Sequence, residues 1–351
     1  MAKRQDYDLP FLLQYENVAW YEKGQVRILD RRIYPTEITF VTCQSYQEVA
    51  QAITDMVTQS AGPYTAAGMG MALAGYECQG LPQDEQVVFL TKAAYEIAHA
   101  RPTTANRMGA ITENCLQVAK AAIAKGEDTI EAMFQETLAS LERRYATMAT
   151  VGDNLLKHIP NGSRVLTQCF GETIVGMLLR GAQEQGKELE LYCAETRPYL
   201  QGARLTASCC QEMGFKTTLL TDNMVGYAME HHHIDIYTSA ADTIACDGYI
   251  ANKIGTKQMA LLAMHYGIPY FVTGIPDQDK AKGSEIVIEE RDPQQVLEFR
   301  GIQIALEGVE AIYPSFDITP PHLISGIVTD KGTYSAYDVA SYFLSNTQQF
   351  Y

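Results

Sequence analysis

Positive charge is scarce in this sequence: 27 Lys and Arg stand against 42 Asp and Glu, leaving a net charge of −15. So acidic a chain lacks the basic face of a general nucleic-acid binder. No apolar run approaches the ~20 residues that cross a bilayer, and no membrane partner is expected. The opening residues, MAKRQDYDLPFLLQYEN, carry charge but no apolar stretch, so no secretory signal is expected. None of the eight cysteines forms a Cys-x-x-Cys pair. They read as reduced thiols of a cytoplasmic protein, most of them small buried hydrophobes. Heptads, low-complexity tracts and short repeats are missing too. So is the phosphate-loop pattern GxxxxGK[ST]; GMGMALAG (68–75) follows no strand of the right kind, which discounts a dinucleotide site.

What is present is a core-forming composition. Hydrophobic residues make up 46% and charged residues 20%, which excludes disorder as the dominant state. A length of 351 residues suggests two domains, drawn here at 1–145 and 146–351.

The two halves differ in rhythm. Residues 17–42 read as short strands broken by a Lys-Gly turn and by Pro35. Ser45-Tyr-Gln-Glu48 is a capping box ahead of apolar positions at helical spacing. Helices are expected over 64–76, 84–99, 104–124 and 127–157, the last ended by Pro160 and Gly162. The first half is therefore a small sheet followed by helices. From Ser163 onward, apolar strands at 164–169, 188–195, 216–222, 234–242 and 269–274 alternate with helical segments. That alternation implies βαβ units, a parallel sheet and, by the right-handed crossover rule, helices on both faces. The expected fold is α/β: a small N-terminal β-sheet with a helical domain, then a doubly wound, Rossmann-like domain.

Ligands of such sheets bind beyond the carboxyl ends of the strands. There this sequence places Cys169, Glu195 with Arg197, Asp222 with Asn223, and Asp242 followed by Asp247, Asn252 and Lys253. A helix starting just after Cys169 would favour its thiolate. Asp222 is equally readable as a helix cap. Arg101, Arg197, Arg204 and Lys253 are the cations available for an anionic ligand. His231, His232 and His233 point about 100° apart if helical, so they do not converge on a metal and fit a helix C-terminus better.

Several segments taken together resemble one family. They are VAWYEKGQVRILDRRIYP, AGPYTAAGMGMALA, RPTTANRM, VLTQCFGE, AETRPYLQGARLTA, LLTDNMVGYAM, SAADTIACDGYIANKIGT and YPSFDITPPHLI. Collinear over nearly the whole chain, they resemble the 5-methylthioribose-1-phosphate isomerases. The relatives of these are ribose-1,5-bisphosphate isomerases and the regulatory subunits of the translation-initiation guanine-nucleotide exchange factor. The resemblance implies Cys169 and Asp242 as the catalytic pair, which the non-enzymatic subunits generally lack. It implies substrate binding by Arg101, Gln201, Asn252 and Lys253. Ser60, Ala61 and Gly62, followed by Pro63, stand where family isomerases carry Arg-Gly-Ala-Pro, and they carry over as substrate-binding without that Arg.

The implied activity converts a 5-substituted ribose 1-phosphate to the ribulose 1-phosphate. The substrate is the 5-methylthio or the 5-deoxy sugar, and the setting is methionine or 5′-deoxynucleoside salvage. No metal or organic cofactor is called for, and a homodimer is implied. Asp242 is expected to act as acid on the ring oxygen from a water-poor pocket, Cys169 in the hydrogen transfer. Lys253, Arg101 and helix N-termini would hold the phosphate. The alternatives are a sugar-phosphate- or nucleotide-sensing regulatory subunit without catalysis and a ribose-1,5-bisphosphate isomerase.

Overall fold

The computed structural model describes residues 3–101 and 105–344. Its contacts divide the chain into a first unit reaching Thr147 and a second beginning at Met148. Among the described residues no helix is long and apolar enough to cross a membrane.

In the first unit, α1 (Tyr15–Val18) leads into an antiparallel sheet of β1 (Ala19–Glu22), β2 (Gln25–Leu29) and β3 (Phe40–Cys43). Lys23 and Gly24 both take positive φ, 50° and 78°, the two-residue hairpin turn whose twist matches the strands. Ser45 caps α2 (Tyr46–Thr54) by accepting from the Glu48 N–H. The Glu48 carboxylate reaches back to the Gln44 N–H at 2.6 Å, one residue earlier than in the usual box. Then come α3 (Gly62–Cys78), α4 (Gln83–Ala98), α5 (Ala105–Lys125) and α6 (Thr129–Leu156). Nearly all of α3 is buried, and its small residues let α6 approach closely. A methyl on Gly68 would meet Thr137 Oγ1 at 2.5 Å, and one on Gly75 would meet Met133 at 2.5 Å.

The second unit holds a seven-stranded sheet. Its parallel strands are β4 (Arg164–Gln168), β5 (Glu190–Ala194), β6 (Lys216–Leu220), β7 (Ile236–Ala240), β10 (Tyr270–Thr273) and β14 (Gly326–Thr329); β15 (Gly332–Tyr334) closes one edge antiparallel. Across the sheet the order is β15-β14-β10-β7-β4-β5-β6. The chain winds outward from β4 in one direction and from β7 in the other, so the order reverses between these two adjacent strands. In doubly wound sheets that reversal opens the crevice where ligands bind.

Crossovers carry α7 (Leu179–Glu184), α8 (Ala207–Glu212), α9 (Val225–His231) and α10 (Thr256–Tyr266). The core over one face joins Leu166, Tyr237, Val272 and Ile327 of the sheet to Val225 and Met229 of α9 and Met259 and Ala263 of α10, each at most 5% exposed. His231 ends α9, as its place in the sequence suggested.

Two features depart from the sequence reading. Asn252 and Lys253 lie on a strand of their own, outside the five expected from the sequence. They end β9 (Ile250–Lys253), which joins β8 (Thr243–Ile244) and β13 (Phe316–Thr319) in a second, antiparallel sheet. The helix begins only after Gly255, whose φ of 100° is open to glycine and turns the chain. The second is the antiparallel pair β11 (Glu298–Phe299) and β12 (Ile302–Gln303), which follows the short helix α11 (Gln294–Leu297).

Candidate active site

The tips of β4 and β5 hold a cluster of unusual backbone. Cys169, Thr196 and Leu200 all take positive φ, 57°, 63° and 65°, although none is glycine. Such conformations cost energy and persist where the surroundings enforce them. The surroundings here are specific. The Cys169 N–H donates to Thr196 Oγ1 at 2.8 Å, and the Cys169 carbonyl accepts from the Thr206 hydroxyl. Asp222, readable as a helix cap, does other work. Its two carboxylate oxygens accept the N–H groups of Thr196 and Arg197 at 2.8 and 2.7 Å, tying the tip of β6 to that of β5. The helices leaving these tips both begin as π-helix, Thr173–Leu178 and Gly202–Thr206, a form that recurs at functional sites. Gln201 is buried at the start of the second.

Cys169 leaves β4 and Asp242 leaves β7, the two neighbours at the reversal of strand order. Lys253, Asp242 and Arg291 all act on the Cys169 sulfur. Burial dominates, pushing the thiol up to about 11, while the nearby Lys253 ammonium works against it. Burial of the thiol thus works against the thiolate that a following helix would favour. Asp242 is exposed, anchored by its N–H to the Ala251 carbonyl at 3.0 Å, so the water-poor surroundings expected for its carboxyl are not found in this unit.

Gln168, Asn252, Lys253 and Thr256 form one buried network. The Gln168 amide donates to the Lys253 carbonyl at 3.2 Å and to Thr256 Oγ1, which also receives the Asn252 amide at 3.0 Å. The Lys253 ammonium stands 4.3 Å from the centre of the Phe316 ring. The start of α10 is not open to a phosphate, because Asp317 accepts the N–H groups of Gly255 and Lys257 at 2.8 and 3.0 Å. Burial pushes this carboxyl up to about 6.

Two cations named from the sequence are committed to carbonyls. Arg197 reaches those of Val296 and Glu298, and Arg204 reaches that of Tyr199. In the first unit, Ser60 takes a φ of 58° and Ala61 follows in the right-handed region, and the turn closes with the Gly62 N–H donating to the Gln59 carbonyl at 3.0 Å. Gly62 begins α3 and is packed tightly: a methyl there would lie 1.9 Å from Thr58 Oγ1 and 3.2 Å from Arg31 Nη1. Arg31 is fully buried and donates to the Gln59 carbonyl at 2.6 Å. Arg101 is partly buried in the turn after α4; Pro102–Thr104 of the RPTT motif lie outside the described residues.

Sequence reasoning missed Arg31, Gln168, Thr256, Arg291 and Asp317. Arg31 and Asp317 carry the only usable signal, as charged residues inside strand-forming stretches. The others are recognisable only once distant strands are paired.

Residues 66–336 match the model of the initiation factor 2 subunit family. Methylthioribose-1-phosphate isomerase 1 of Pseudothermotoga lettingae is 38% identical over 322 residues, 87% of this chain and 91% of that protein. The crystal structure of 5-methylthioribose 1-phosphate isomerase from Pyrococcus horikoshii OT3 superposes with a TM-score of 0.80 at 28% identity, covering 93% of this chain and 95% of that one. That of the translation initiation factor eIF-2B, subunit delta, from A. fulgidus superposes at 0.77 with 30% identity, covering 91% and 96%. With these matches running over most of its length, the chain belongs to the initiation factor 2 subunit family and, within it, to the family of the methylthioribose-1-phosphate isomerases.

Proposed function

We propose that this protein isomerises a 5-substituted ribose 1-phosphate to the corresponding ribulose 1-phosphate, in methionine or 5′-deoxynucleoside salvage. The observation that carries the proposal is the pairing at the reversal of strand order: a thiol from one strand tip and a carboxyl from its neighbour, with the Lys253 charge acting on the same sulfur. The kinship with named isomerases supports it.

The chemistry sets the roles. A 1-phosphate blocks the anomeric oxygen, so the ring cannot open as a free sugar's does. Asp242 donates a proton to the ring oxygen as the bond to C1 breaks and recovers one from the C2 hydroxyl as the ketone forms, so the reaction closes with no net change in protons. Hydrogen then moves from C2 to C1, with Cys169 acting in that step. A thiol pushed up to about 11 is protonated at neutral pH, so in the free protein Cys169 is set to stabilise the intermediate, and it serves as base toward C2 only where its own proton has first been passed on. Gln201, Asn252 and Lys253 bind the substrate in the second unit. In the first unit, Arg101 and the turn of Ser60, Ala61 and Gly62 carry over from the family as substrate-binding positions. Arg31, beneath that turn, brings a positive charge where the family's Arg is missing.

We place the enzyme in the cytoplasm as a homodimer. The homodimer is what the resemblance to the isomerase family implies.

The test is ketose formation from 5-methylthioribose 1-phosphate, 5-deoxyribose 1-phosphate and ribose 1,5-bisphosphate, alongside thermal shifts with each. Turnover of either of the first two is expected. A shift in melting without turnover of any would replace the enzyme by a sensor, and preference for the bisphosphate would move the activity to that class.

A further inference from the structure

Arg291 lies outside every motif named above, yet its charge acts on Cys169. Residues 289–291 run as an added strand beside 313–315: the Arg291 N–H donates to the Tyr313 carbonyl at 2.9 Å and the Ser315 N–H to the Glu289 carbonyl at 2.8 Å. The next residue after 313–315 is Phe316, which opens β13 and pairs with Lys253. This register brings Arg291 to the Lys253 side of the site. Its Cζ lies 5.9 Å from the centre of the same Phe316 ring that Lys253 approaches at 4.3 Å.

The Arg291 side chain is only 8% exposed, and its Nε is held by Glu289 at 2.8 Å. That single carboxylate contact fixes one edge of the fork. On the other edge Nη2 is buried and reaches no acceptor at hydrogen-bond geometry among the described residues. The Tyr313 ring lies alongside, 5.9 Å from Cζ, and its buried hydroxyl interacts with the Arg291 side chain; neither it nor Nη2 has any other hydrogen-bond partner among the described residues, and the two do not reach full hydrogen-bond geometry with each other. Leaving a charged donor buried and unmatched is costly, and a site that does so is built to meet an acceptor.

We propose that Arg291 and Tyr313 are substrate-contacting residues, Nη2 and the phenol hydroxyl both donating to a negatively charged oxygen of the sugar phosphate bound beside Cys169. This rests on the isomerase reading and extends it to residues outside the Cys169, Asp242 and Lys253 set. The oxygen belongs either to the phosphate or to the sugar carbon that gains negative charge during hydrogen transfer. In both cases planar guanidinium geometry matters, so lysine is a poor substitute.

The experiment compares the full-length wild type with Arg291→Lys, Arg291→Gln and Tyr313→Phe. It reads kcat and KM for 5-methylthioribose 1-phosphate, and protection of Cys169 from iodoacetamide by inorganic phosphate. Contact with the sugar oxygen lowers kcat at least thirtyfold in Arg291→Gln, with KM and phosphate protection retained. Contact with the phosphate instead raises KM and weakens protection tenfold or more. Either result supports the proposal, with Arg291→Lys intermediate and Tyr313→Phe losing at least fivefold in the same parameter. Arg291→Gln also shifts the pH profile of Cys169 alkylation upward, a change that a purely structural role would not produce. Should Arg291→Gln fail to fold, Tyr313→Phe, which keeps the ring, decides alone. Kinetics and protection within twofold of wild type in the folded variants overturn the proposal. Absence of turnover by the wild type itself would instead remove the isomerase reading.

Discussion

Gly202 is the tightest joint of the site, and Gly202→Ala tests whether that joint holds Cys169 in place. An added methyl would sit 1.8 Å from the carbonyl oxygen of Ala194, the last residue of β5, and 2.9 Å from Thr196 Oγ1. Ordinary carbon contacts need about 3.5 Å, so strand tip and helix must part by more than about 1 Å. The obstacle is backbone locked into the sheet against both β4 and β6, not a side chain that can swing away. Overpacking of this kind costs about 3 kcal/mol, a fall in melting temperature of roughly 6–12 °C for a domain this size. The displacement passes to Cys169 through Thr196 and Thr206, which hold its N–H and its carbonyl. A misplacement of about 1 Å lowers turnover roughly a hundredfold. Gly109→Ala in α5, where nothing lies within 4 Å, is the control and should gain about 0.5–1 kcal/mol. Differential scanning calorimetry and kcat measure both variants. A Gly202→Ala protein that melts and turns over like the wild type would show that this joint does not hold Cys169 in place.

Two further outcomes concern protons. Cys169 alkylation by iodoacetamide, followed by mass spectrometry, should accelerate about tenfold per pH unit from 7 to 10, because the thiol titrates near 11 rather than at its ordinary 9.0; a plateau below pH 8 would contradict this. Since the folded state keeps that proton longer than the unfolded chain, the thiol's contribution to stability is full below pH 9 and falls as pH rises from 9 to 11, by at most about 3 kcal/mol. Asp317, pushed up to about 6 from 3.8, follows the same sign: its contribution is full below pH 3.8 and falls as pH rises to 6, again by at most about 3 kcal/mol. Asp317→Asn should remove that part of the slope in urea unfolding between pH 4 and 6; an unchanged slope would show that burial of this carboxyl is not what raises it.

The sequence made the architecture legible where local chemistry and tertiary packing agree. The Lys23-Gly24 turn, the Ser45 cap and the alternating strands and helices from Ser163 onward all follow from short-range rules. Asn252 and Lys253 did not, because a helix-compatible stretch was claimed by pairing with Phe316 and Asp317, more than sixty positions away. Cys169 was readable as a strand-end thiol, but its protonation was not: it depends on how deeply the neighbours bury the sulfur, a property of the whole packed site. Arg291 and Tyr313 were invisible for the same reason, since only the register of 289–291 against 313–315 brings them to the Lys253 side. The order reversal between β4 and β7 is likewise a fact of topology, and it sets residues 169 and 242 just past neighbouring strand ends.

The central claim is that these two residues perform the chemistry together. Its most direct test is turnover of 5-methylthioribose 1-phosphate by Cys169→Ser and Asp242→Asn, each first shown to melt within about 2 °C of the wild type. A general acid–base group contributes roughly 10²–10⁴-fold, so kcat should fall by at least a hundredfold in each, with the double variant little worse than either single. Two folded variants turning over at the wild-type rate would contradict the account.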